Sequence, residues 1–123
     1  MKTDRQNGDS LADALYAAYL TGKTGVTIAS LLFRRGVITG VDAGEGIYDG
    51  DYRTAADSGH VVGTLRITLP AGLSTITGVT SAERPVTYSV PFDLPLPLDA
   101  ESFYRIETGM GPVNVRFKKL RDV

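Results

Sequence analysis

The feature that most constrains this chain is a glycine-rich stretch between residues 36 and 52. It reads GVITGVDAGEGIYDGDY and holds five glycines within 17 residues. Each glycine in a helix interior costs about 1 kcal/mol relative to alanine, which disfavours a helix here. A short β-like run, an acidic turn and a second β-like run instead predict two strands joined by a turn.

Alternating apolar and polar residues predict further short strands along the chain. The clearest run covers residues 60–69, and residues 86–94 form another, in which Pro91 indicates an edge or a bulge. Arg34, Arg35 and Gly36 are typical of a hairpin turn. With 123 residues in total, we expect an all-β domain of seven or eight antiparallel strands. Such strands bury their apolar faces in a barrel or a sandwich, and we favour a meandering barrel.

The N-terminal part of the chain contains conflicting signals. Residues 1–9 are polar and predict a disordered tail, so the barrel domain is expected to cover residues 10–123. Within residues 10–21, apolar side chains fall on one helical face, and this local pattern favours a helix. A strand is the alternative, with a turn bracketed by Gly22 and Gly25.

Composition excludes several classes of function. The net charge of −1 lacks the positive field of a nonspecific nucleic-acid binder, so we expect no direct contact with nucleic acid. The absence of cysteine excludes disulfides and thiol catalysis, and it favours the cytoplasm. The sequence holds no apolar run of membrane-spanning length, so no membrane contact is expected.

Three segments together resemble one known family. Residues 13–16, DALY, look like its opening D-G-x-Y strand; LLFRRGVITGVDAG looks like its hydrophobic strand, turn and I-x-G-G-D segment; and IYDGDY looks like its Y-x-G-x-Y. The family is that of the type III secretion negative regulators of GrlR type, which are lipocalin-like, or calycin-like, β-barrels. The resemblance covers about residues 13–80 and implies a strand, rather than a helix, at its start.

The resemblance also implies a function. A regulator of this family forms a homodimer that sequesters a helix-turn-helix transcription activator, using an acidic loop after the Y-x-G-x-Y strand. The corresponding loop here, residues 54–59, has Asp57 as its single acid, so we do not transfer that contact. Asp42 and Gly50 are interpreted as structural residues of the family pattern.

Two sets of residues are candidates for binding. An eight-stranded barrel is either filled by its own side chains or holds a small ligand, and the sequence leaves this open. The cavity candidates combine aromatic rings with inward strand positions: Tyr16, Tyr48, Tyr52, Leu65, Ile67, Tyr88, Val90 and Phe92. The partner-binding candidates form an acidic cluster that can attract a basic protein surface: Asp42, Glu45, Asp49 and Asp51.

No catalytic constellation is recognisable in the sequence. His60 is the lone histidine, and no nucleophile motif accompanies it. The spacing of the acidic cluster does not follow a calcium loop, so we expect no metal and no cofactor. We therefore predict a non-enzymatic binding protein, either a negative regulator acting through protein contacts or a carrier of a small apolar ligand or lipid.

Overall fold

The structure, a computed structural model, describes residues 12–23, 25–55, 57–72, 84–98, 100–109 and 111–123. These residues form eight strands. In chain order they are β1 (Ala14–Gly22), β2 (Gly25–Arg34), β3 (Val37–Asp42), β4 (Ile47–Ala55), β5 (His60–Leu69), β6 (Val86–Pro95), β7 (Tyr104–Thr108) and β8 (Gly111–Arg121). The expected tail, residues 1–9, lies outside the described residues.

The eight strands form one antiparallel sheet that curls into a nearly closed barrel. The order β6-β5-β4-β3-β2-β1-β8-β7 is a meander in which β8 returns to pair with β1. β6 and β7 are the two ends of this order, and β6 carries Pro91 and Pro95 where few ladder hydrogen bonds are lost. The fold is thus the lipocalin-like all-β barrel that the sequence predicts, with Pro91 on an edge strand.

The local helical prediction for the first segment is wrong, and the strand alternative is correct. Ala14–Gly22 is the strand β1, which lies between β2 and β8 and pairs with both along its length. Cross-strand pairing on both sides satisfies its backbone and buries Tyr16 and Ala18. Tertiary pairing therefore overrides a helical periodicity that spans only a few turns.

The turn between β2 and β3 has the geometry that a tight hairpin needs. Arg34 pairs with Val37, which leaves Arg35 and Gly36 as a two-residue loop. Both have positive φ, 52° and 82°. A two-residue hairpin with positive φ at both central positions matches the right-handed twist of its strands. The turn predicted at this position is confirmed.

Glycines at inward positions of β3, β4 and β5 let the neighbouring strands approach closely. A Cβ at Gly40 would lie 2.0 Å from the Ser30 carbonyl oxygen, and a Cβ at Gly63 would lie 2.0 Å from that of Asp51. Each of these two glycines is paired across the sheet with an inward tyrosine, Tyr48 or Tyr52. Glycines at defined positions, each paired with an aromatic residue across the sheet, are features that favour a curved sheet.

We expect Gly40→Ala to destabilise the protein by about 2 kcal/mol or more, because the new methyl group overlaps backbone that cannot move without breaking a ladder. Gly109→Ala is the control, since a Cβ there meets nothing within 4 Å. Urea unfolding followed by circular dichroism measures both variants. Equal stabilities of the two variants would show that the close approach at Gly40 is not a constraint.

Candidate functional site

One end of the barrel interior is filled by aromatic rings. The Tyr16 ring lies 5.2 Å from that of Phe33 and 5.9 Å from that of Phe117, both in edge-to-face arrangements. Tyr52 extends the cluster, with its ring centroid 5.1 Å from that of Phe33. We call these four residues the aromatic plug.

Polar contacts hold the hydroxyl groups of the aromatic plug. Tyr16 donates a hydrogen bond of 2.9 Å to the Ala12 carbonyl oxygen, and Tyr52 donates to the Asp13 carboxylate. Burial, with a smaller contribution from Asp13, raises the pKa of Tyr16 to about 12. The aromatic plug is therefore buried and hydrogen-bonded, and Tyr16, Phe33 and Tyr52 lie outside the lining of the cavity described next, whereas Phe117 borders it.

The other end of the interior holds a cavity of about 130 Å³. At the level of the cavity, Ala18 on β1 pairs with Ala29 on β2, which in turn pairs with Asp42 on β3. Ala18 and Asp42 both line the cavity, so this side of its wall combines a short apolar side chain with a carboxylate. The interior of an eight-stranded barrel is wide enough either to be filled by its own side chains or to hold one small ligand.

The sequence candidates for ligand binding divide between these two ends. Five of them line the cavity: Tyr48, Leu65, Ile67, Tyr88 and Val90. Tyr16 and Tyr52 belong to the aromatic plug, and Phe92 packs against the core without lining the cavity.

Asp42 is the carboxylate at the rim of the cavity. Its Oδ1 accepts hydrogen bonds from the backbone N–H groups of Gly44 (2.9 Å) and Gly46 (2.8 Å), and its Oδ2 accepts one from the Tyr48 hydroxyl (2.7 Å). A Cβ at Gly46 would lie 2.7 Å from Oδ2, so a side chain there would displace the carboxylate. The β3–β4 turn is thus built around this carboxylate, which the turn holds beside the cavity.

The two tyrosines nearest Asp42 stay protonated over the ordinary pH range. Burial and, after it, the hydrogen bond to Asp42 raise the pKa of Tyr48 far above its ordinary value. Burial and then the negative charge of Asp42 raise the pKa of Tyr88. Both phenols therefore act as neutral hydrogen-bonding groups in the cavity wall.

The remaining acidic candidates lie apart from Asp42. Asp49 and Asp51 point outward from β4, where Arg66 on β5 contacts them at 3.1 and 3.5 Å. Glu45 is exposed in the β3–β4 turn with a φ of 70°. The structure thus places one member of the acidic cluster at the cavity and three on the outer surface.

His60 lies on the outer surface, where its Nδ1 is 2.6 Å from an Asp93 carboxylate oxygen. Over the part of the chain that the structure describes, no group of three or more potential ligands is arranged to hold a metal ion. The same residues contain no helix that is long and apolar enough to cross a membrane.

Several cavity residues were not among the sequence candidates. β8 contributes Val113, Val115 and Phe117, and β1 contributes Ala18 and Leu20. The alternation along β8 indicates its inward face from sequence, whereas β1 was obscured by the helical pattern. Side chains alternate between the two faces of a strand, so Asp42 lies on the same face of β3 as the inward residues Ile38 and Gly40. This alternation would have distinguished Asp42 from the outward-facing Asp49 and Asp51 on β4.

The fold and the site define a lipocalin-like barrel with one closed end and one hollow end. Comparisons of the chain with protein-family models, with curated proteins and with solved structures found no match. The resemblance to regulators of GrlR type therefore stays a prediction from sequence motifs.

The raised pKa of Tyr16 predicts a loss of stability at high pH. The folded protein holds this proton more tightly than the unfolded chain, whose tyrosines titrate near pH 10. The resulting stability is complete below about pH 10 and is lost as the pH rises toward about 12. We expect the stability difference between the wild type and Tyr16→Phe to shrink over this interval, by up to about 1.4 kcal/mol per pH unit. Urea unfolding at several pH values measures it, and a constant difference would contradict the assignment.

Proposed function

We propose that this protein is a non-enzymatic binding protein that holds a small, mostly apolar molecule in the barrel cavity. The observation that supports this proposal is the hollow end, whose wall is apolar apart from Asp42 and a few hydroxyl groups. An apolar cavity of about 150 Å³ in a protein core is known to accept a benzene-sized molecule. A cavity of about 130 Å³ that opens toward one end of the barrel is comparable.

The geometry favours a ligand that enters through the end where the β3–β4 turn lies. The opposite end is closed by the aromatic plug. A ligand thus buries its apolar part against Leu65, Ile67 and Val90 and leaves its polar part at the rim near Asp42. Burying a ring or short chain in this way is favourable by about 25 cal/mol per Å² of apolar surface.

We expect Leu65→Trp to weaken binding of toluene at least tenfold, because the indole fills the space that the ligand uses. Thr64→Trp adds the same side chain at the outward-facing neighbour on β5 and is expected to leave binding unchanged. Titration calorimetry or ligand-observed NMR measures the affinity. Native mass spectrometry of the purified protein adds a direct test for a retained small molecule. Absence of toluene binding to the wild type would overturn the proposal.

A second candidate function, a regulator that acts through protein contacts, is favoured by an exposed apolar strip. Val26, Ile28, Val41 and Ile47 lie on the outer side of β2, β3 and β4 and are between 44% and 74% exposed. Val41 and Ile47 are direct cross-strand partners. We call these four residues the outer strip. Adjacent exposed apolar side chains of this kind mark protein interaction sites.

The occupant we propose for the outer strip is a second copy of the chain, in keeping with the homodimer that the sequence resemblance implies. Asp49 and Asp51, with Arg66 between them, would then border the interface. A transcription regulator remains the partner suggested by the resemblance alone.

We expect Ile47→Lys to convert a dimer into a monomer, because a charge would be placed within the apolar part of the interface. Asn114→Lys places the same charge on the outer side of β8 and is the control. Sedimentation equilibrium at several concentrations measures the mass. A wild-type protein that stays monomeric would exclude self-association at the outer strip.

A further inference from the structure

The charged side chain that lines the cavity is acidic. Among the described residues that line it, Asp42 is the one acidic side chain, and there is no lysine, arginine or histidine. The nearest polar partners of Asp42 are two backbone N–H groups and the Tyr48 hydroxyl, which are neutral donors. Among the described residues that line the cavity, the carboxylate therefore has hydrogen-bond donors but no cationic partner.

The hydrogen bonds of Asp42 leave room for one more donor. An ionised carboxylate offers about four lone-pair positions. Gly44 and Gly46 take up two of them at Oδ1, and the Tyr48 hydroxyl takes up one at Oδ2. The structural task of the side chain, which is to hold the β3–β4 turn, thus falls mainly on Oδ1. Oδ2, already bonded to a cavity-lining tyrosine, can accept another donor from the side of the cavity.

The negative charge of Asp42 also acts on Tyr88, another residue of the cavity wall. Tyr88, on β6, lines the wall together with Asp42 on β3, and the charge of Asp42 contributes to raising the pKa of this phenol. The acidic side chain of the wall therefore lies beside an apolar chamber. Asp42 would repel an anionic head group at this position and attract a cationic head group.

We propose that the cavity selects an amphiphilic amine, with an apolar body in the chamber and a protonated amino group hydrogen-bonded to Asp42 at the rim. This inference rests on the proposed function, because it requires that the cavity holds a ligand at all. A charged hydrogen bond fixes the orientation of the ligand and increases its affinity. The apolar wall accepts any apolar group of suitable size. The recognised class is therefore defined by its head group: a primary amine attached to a small ring or short chain.

The test uses three probes that share a benzyl body and differ in the head group: benzylamine, benzyl alcohol and phenylacetate. Calorimetric titration of the wild-type protein at neutral pH is expected to show benzylamine binding at least tenfold more tightly than either of the others. This comparison needs no variant to fold. Equal affinities for all three would overturn the amine inference and leave the proposed cavity function standing, and no binding by any probe would overturn both.

A pair of charge-matched variants locates the effect. Asp42→Asn keeps an oxygen that can accept from Gly44 and Gly46 but removes the charge, and we expect it to bring the affinities of benzylamine and benzyl alcohol within about twofold of each other. Asp49→Asn removes the same charge from the outer surface and is expected to retain the tenfold preference. Loss of the preference in both variants alike would show that general attraction, and not Asp42, selects the amine.

A second measurement keeps the inference falsifiable if Asp42→Asn proves unstable. Salt weakens an attraction between charges and leaves the binding of a neutral molecule nearly unchanged. Raising the salt concentration is therefore expected to reduce the preference of the wild type for benzylamine over benzyl alcohol. A preference that is insensitive to salt would contradict an ionic contact at the rim.

Discussion

The barrel depends on the close approach of neighbouring strands at its inward-facing glycines. At Gly40, Gly50 and Gly63, a Cβ would lie between 2.0 and 2.5 Å from a carbonyl oxygen of the adjacent strand. Without these contacts β3, β4 and β5 would form a flatter sheet, and flat sheets do not close. Closure in turn brings β8 against β1 and turns one face of every strand into an interior. The cavity and the aromatic plug both follow from this curvature.

The interior is divided into a filled end and a hollow end by the positions of the inward side chains along the strands. Toward one end, tyrosine and phenylalanine rings meet at centroid distances of 5.1–5.9 Å and exclude a ligand. Toward the other, the side chains of Leu20, Leu65 and Val90 are among those that surround an open chamber. The turn that follows β3 ends at this open side and brings the Asp42 carboxylate with it. A single carboxylate thus lies beside an apolar space, and its hydrogen-bond donors are neutral.

Much of the fold could be predicted from local pattern, and the exceptions have identifiable causes. The inward positions predicted for Tyr48 and Tyr52 on β4 are correct, and the Arg35-Gly36 turn is recognisable because few residues adopt positive φ. The sequence pattern of β1 was misleading, since its few apolar residues fit one face of a helix as well as a strand. Only pairing with β2 and β8 decides between helix and strand. For the site, five of eight cavity candidates line the hollow end. Nothing local distinguishes Tyr52, in the aromatic plug, from Tyr48, in the cavity wall.

The sequence by itself determined the antiparallel strands, most of their inward faces and the tight turns, because each depends on residues close together in the chain. Tertiary structure alone decided where the barrel is hollow, since that depends on which inward residues of different strands share a level. It also decided that Asp42 faces the cavity rim while Asp49 and Asp51 pair with Arg66 outside. The physical reason is register. Pairing between strands sets the level of every side chain along the barrel axis, and register is a property of the assembled sheet.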